Sequence, residues 1–168
     1  MVNVYITGKF LDNVRYLPIL FPHLGPLKNE KRLFSDKGYL SFKEPAFNLV
    51  SDLQKADFIL LPHEYFDVLK TDLAFLDEHT RLSQESGKKL LIFDLSDYTD
   101  KEINVSNAFV FRIAGYSHNR RENEIIMGHG LGQVAQCILG SLPPAFACQS
   151  TGTDRDERLL DIVGPISL

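Results

Sequence analysis

Tryptophan is missing from these 168 residues, and cysteine and methionine occur only twice each. Cys137 and Cys148 stand near no second cysteine pair and no histidine at zinc spacing, so a disulfide-stapled scaffold and a structural zinc site are both excluded. They read as reduced thiols. No window approaches the ~18 consecutive apolar residues a membrane helix needs. The opening M-V-N-V-Y-I-T-G lacks the basic segment and apolar run of a signal peptide. The expectation is a soluble, cytoplasmic protein with no membrane span. Basic charge is not in excess either. A net charge of -4 argues against a nucleic-acid partner. There is no Walker lysine, no Gly-x-Ser-x-Gly elbow and no paired-cysteine motif, and nothing implies a cofactor or a metal.

What is present is apolar and aromatic: 44% hydrophobic residues and 12 Phe suffice for the core of one domain. Basic side chains dominate the first quarter and acidic ones the middle, either as a polarised cleft or as ordinary solvated faces. Val2 to Thr7 alternates like a strand that delivers Gly8 and Lys9 to a loop, and residues 16–30 show no clean period. Ser41 to Glu44 has capping-box spacing, and Phe42, Ala46, Leu49, Val50 and Leu53 fall on one helical stripe, which predicts a helix there. Asp57 to Pro62 is an apolar run of the kind a doubly covered parallel strand shows. A second helix is predicted from about Asp72 to Ser86, with Gly87 at a left-handed cap. Lys89–Phe93 and Ala108–Ile113 complete the strands. Strands alternating with helices imply a Rossmann-like α/β domain with a largely parallel sheet flanked by helices. It is expected over residues 1–140, ahead of an atypical tail at 141–168.

Ligands of such sheets bind beyond the carboxyl ends of the strands, which nominates four loops. The first carries Gly8 and Lys9. The second carries His63, Glu64 and Tyr65, a mixture that suits a sugar or simply turns the chain. The third carries Asp94, Ser96, Asp97 and Tyr98, where the carboxylates would cap the backbone, bind ligand hydroxyls or act as a base. The fourth carries Tyr116, His118, Arg120, Arg121, Asn123 and Glu124. Arg120 and Arg121 either form guanidinium forks for an anion or pair with neighbouring glutamates at an exposed helix start. Arg112 lies inside an apolar strand and needs a buried carboxylate, for which Asp94 and Glu124 are the candidates. His79 reads as a satisfied core histidine. Gly128 to Gly132 imitates a glycine-rich phosphate loop but lacks the final glycine at the dinucleotide spacing.

The order A-D-F-I-L-L-P (56–62), L-L-I-F-D-L-S-D-Y (90–98), N-A-F-V-F-R (107–112) and N-E-I-I-M (123–127) resembles the N-terminal half of exostosin-like glycosyltransferases. The resemblance implies one half of a two-domain GT-B architecture. That half faces a glycan acceptor, and a second half binds the nucleotide-sugar donor. Carried over, it places His63, Glu64, Tyr65, Asp94, Asp97, Arg120, Arg121, Asn123 and Glu124 on the acceptor side, with the catalytic residues unassigned. The family pattern continues with a proline after Met127 where this chain has Gly128, and no second Rossmann half follows. The chain therefore reads as a partial transferase. The alternative is a non-catalytic α/β module that binds sugar or protein.

Overall fold

The computed structural model describes residues 1–25, 45–113 and 121–126. The Ser41 to Glu44 box, Tyr116, His118, Arg120, the Gly128 to Gly132 segment, both cysteines and the 141–168 tail lie outside them.

The described strands are β1 (Asn3–Tyr5), β2 (Asn48–Val50), β3 (Phe58–Leu60), β4 (Lys89–Asp94), β5 (Ala108–Arg112) and β6 (Glu124–Ile126). All five pairings among them are parallel, and the sheet order is β2-β1-β3-β4-β5-β6. The helices are α1 (Phe21–Leu24), α2 (Tyr65–Thr71) and α3 (Leu73–Ser86), with single 3-10 turns at Pro18–Leu20 and Leu53–Lys55. This is the Rossmann-like α/β arrangement that the alternation of apolar runs implies.

Strand side chains alternate between two cores, as the two-residue period requires. Leu60, Leu91, Phe93 and Phe111 join Leu17, Ile19, Leu20 and Phe47 on one face. Ile59, Leu61, Leu90, Ile92, Ala108 and Val110 join Tyr65, Phe66, Val68, Phe75 and Leu76 on the other. Phe93 and Phe111 stack with centroids 4.9 Å apart.

α3 starts at Asp72, whose side chain accepts from the Phe75 N–H, and ends at Gly87 with φ +70, a backbone region that penalises any side chain. Behind it Asn107, itself at φ +54, donates from its amide to Ser83 O, Ser83 Oγ and Lys88 O, pinning the helix end to the start of β5.

Three expectations are corrected. The stripe over 41–53 is not helical in its described part. Asn48–Val50 pairs with β1, and the Asn48 N–H donates to Val2 O, so main-chain groups that a helix would satisfy internally go to the sheet edge. Tyr65, placed in a loop, instead opens α2 (Tyr65–Thr71), a helix not predicted from the sequence and started by Glu64 as its cap. Arg121 does not open a helix; it leads into β6, which places Glu124 in a strand.

Candidate functional site

The chain leaves β1 for one edge of the sheet, returns to β3 on the other side of β1, and then proceeds outward. Strand order thus reverses between β1 and β3, where open α/β sheets form a crevice at the strands' carboxyl ends. A cavity of about 490 Å³ lies at that end, within the range of ligand sites. Its walls are residues 15–18 beyond β1, Glu64, Phe66, Asp67 and Lys70 around the start of α2, and residues 95–98 beyond β4. Arg15, Lys70 and Ser96 offer donors, Glu64, Asp67 and Asp97 offer acceptors, and Phe66 and Leu95 supply apolar surface.

Glu64 is the unusual member. One oxygen, Oε2, accepts the Asp67 N–H at 2.8 Å and caps α2. The other, Oε1, is buried and has no hydrogen-bond partner among the described residues. Burial pushes the carboxyl above its ordinary range, against two backbone N–H groups that pull it down. A buried acceptor without a donor costs free energy until something donates to it.

Asp97 is exposed and also lines the cavity, so of the nine residues nominated by sequence the structure brings Glu64 and Asp97 together. The other described ones have internal work. His63 is wholly buried, with Nε2 accepting the Leu11 N–H at 2.9 Å and Nδ1 3.0 Å from Arg15 O. Tyr65 belongs to the core beneath α2, where burial, and after it the Asp94 charge, raise its phenol pKa. Asp94 is buried, accepts from the Ser96 N–H and hydroxyl, and stands 2.9 Å from Arg112 Nε. Glu124 approaches Arg112 Nη1 at 3.4 Å, and Arg112 Nη2 donates to Tyr98 O at 2.5 Å. Asn123 donates to Ala108 O at 3.2 Å. Arg121 pairs with Glu102 at 2.6 Å and donates to Asn104, away from the cavity. Arg120 lies outside the described residues.

The Arg112 cluster nevertheless serves the site. Asp94 organises the turn at residues 94–98 through Ser96, and Arg112 holds the Tyr98 carbonyl, so the third wall of the cavity is fixed from beneath. Tyr98 packs edge-on against Phe66 at 5.0 Å, and Lys101 Nζ lies 3.8 Å above its ring.

Arg15, Asp67 and Lys70 escaped sequence reasoning. Arg15 precedes a stretch with no period, and Asp67 and Lys70 depend on α2, whose seven residues are too few to show one. Among the described residues, no three His, Cys, Asp or Glu side chains gather as a metal would require, and no helix is long and apolar enough to cross a membrane. No family model, curated protein or solved structure matches the chain significantly.

Proposed function

We propose that the cavity binds a hydroxyl-rich glycan end, as the acceptor side of an exostosin-like glycosyltransferase. A nucleotide-sugar donor would be bound by a second α/β half. The observation that carries the reading is Glu64 in the cavity wall, whose Oε1 is buried without a hydrogen-bond partner among the described residues. A sugar hydroxyl is a neutral donor that fits a buried acceptor, whereas an anion would meet repulsion there. The neighbours suit the rest of a sugar. Arg15 and Lys70 donate to ring and hydroxyl oxygens, Asp97 accepts from the rim, and Phe66 and Leu95 face its C–H surface. The four ordered segments that resemble the exostosin family support the same assignment. Binding requires only this sheet, whereas transfer requires the donor half to position the reacting groups.

Saturation-transfer NMR and calorimetry with a panel of neutral oligosaccharides, with UDP-glucose as comparison, test the proposal. Saccharide binding is expected to weaken about tenfold or more in Glu64→Gln, the loss of one charged hydrogen bond. The melting temperature should hold, because the glutamine oxygen still caps α2. No saccharide contact, or affinity indifferent to both Glu64→Gln and Asp97→Ala, would sink it.

A further inference from the structure

The loop leaving β1 is fastened by two buried histidines in the same manner. His63, just beyond β3, has Nδ1 3.0 Å from Arg15 O, so the ring donates there and Nε2 is left to accept the Leu11 N–H at 2.9 Å. His79 on α3 has Nδ1 2.8 Å from Phe75 O, and its Nε2 takes the Thr7 hydroxyl at 3.3 Å. Each ring is therefore the neutral Nδ1–H tautomer, fixed by geometry, and each spends its basic nitrogen on the loop. Both rings flank Phe75, at centroid distances of 5.7 and 4.4 Å. Between these clasps the chain turns at two left-handed residues, Gly8 at φ +73 and Asn13 at φ +61. Phe10, 39% exposed, covers both His63 and Tyr16 with its ring, and Tyr16 belongs to the cavity wall.

We infer that Gly8 to Asn13 is a flap beside the cavity, latched by His63 and unlatched when that ring takes a second proton. An Nε2–H would point at the Leu11 N–H across 2.9 Å, two donors facing one another, so Leu11 must leave. Arg15 stays, because Nδ1–H still donates to its carbonyl, and Leu17 N–H remains bonded to Pro62 O at 2.8 Å. The wall therefore holds while the flap lifts, carrying Phe10 away from Tyr16.

The groups around the ring pull in both directions. Burial, the largest influence, holds His63 below its ordinary pKa, while the Arg15 carbonyl and the Asp67 carboxylate of α2 raise it. His79 on α3 is likewise lowered by burial. Glu78 raises it and Lys9, on the flap, lowers it, along with His63 itself. Lys9 and Glu78 form an ion pair at 2.6 Å, exposed and weak, which is a further tie between flap and α3. Unlatching thus begins below pH 6.5, the ordinary histidine value.

The inference rests on the cavity's being the ligand site, yet its test needs no ligand and stands apart from the glycan reading. Nitrogen-15 NMR of the histidine rings and amide hydrogen exchange would be followed on the full chain from pH 7.5 downward. We expect the Nδ1–H tautomer of His63 at pH 7.5. On its protonation, the Leu11 protection factor should fall at least tenfold while that of Val110 is unchanged. An Nε2–H tautomer, or Leu11 protection lost only together with that of Val110, would overturn the inference. His63→Gln can still accept from Leu11 without titrating, so its Leu11 protection should be flat with pH. Should that variant fail to fold, the wild-type titration decides alone.

Discussion

Arg112 Nε stands 2.9 Å from Asp94 Oδ2 with both side chains out of water, the guanidinium 5% and the carboxylate 0% exposed. Glu124, from the neighbouring strand, adds a second buried carboxylate at 3.4 Å. One cation therefore answers two anions in the sheet interior. Arg112→Met leaves both carboxylates without it, and the expected loss is about 3–5 kcal/mol. Urea denaturation would show it as a lower midpoint with unchanged slope. A loss under ~1 kcal/mol would mean that water already reaches the cluster.

Asn107 combines a left-handed backbone with three amide hydrogen bonds. Substitution separates the two contributions. Asn107→Gly removes the bonds and relieves the backbone, whereas Asn107→Ala removes the bonds and keeps a Cβ at φ +54. Alanine should be the less stable of the two by about 1 kcal/mol. Equal denaturation midpoints would mean that the backbone there relaxes freely.

The ends of α3 act independently. Asp72→Ala, which removes the cap on Phe75 N–H, should cost about 1 kcal/mol. Gly87→Ala should cost about the same through backbone strain alone, since no atom lies within 4 Å of the added Cβ. The double variant should show the sum, because the sites share no partner. A clear excess over the sum in chemical denaturation would reveal a helix that unfolds as one piece from either end.

Stability should fall on acidification. His63 and His79 are held below 6.5 by burial, so below pH 6.5 the unfolded chain binds protons that the folded chain refuses. Their contribution is complete above 6.5 and is lost as pH drops toward the lowered folded values. Glu64, raised from 4.5, acts oppositely, gaining stability as pH falls through its folded value. Melting temperatures at pH 7.5 and 5.5 should differ in favour of 7.5, and His79→Gln should shrink the gap. A gap unchanged by His79→Gln would assign the effect elsewhere.

The physics of each element decided whether it could be read from sequence. β3, β4 and β5 are buried on both sides, so their apolar runs announce them, and α3 carries a cap at each end across fourteen residues. Arg112 is legible for the same reason, since a charge inside such a run requires a partner. β2 and β6 are three-residue edge strands with no alternation to detect, and the stripe through Phe42, Ala46 and Leu49 fits a helix until β1 is there to pair with. Within the site, His63 and Glu64 are adjacent and equally polar in sequence. Only the fold turns one inward onto Leu11 and sets the other in the cavity wall with one buried oxygen unpartnered among the described residues.

The all-parallel sheet also orders events in time. No described strand can pair with its neighbour through a tight turn, so every ladder waits for a crossover to close. β5 and β6 close the shortest connection, residues 113–123, but for three matched positions; β4 and β5 close residues 95–107, nearly as short, and share the longest register, Leu90↔Ala108 to Asp94↔Arg112. β1 and β2 must close residues 6–47 for three matched positions. The folding nucleus therefore belongs at β4 and β5. Val110→Ala should slow refolding in stopped-flow measurements, while Leu49→Ala should chiefly hasten unfolding.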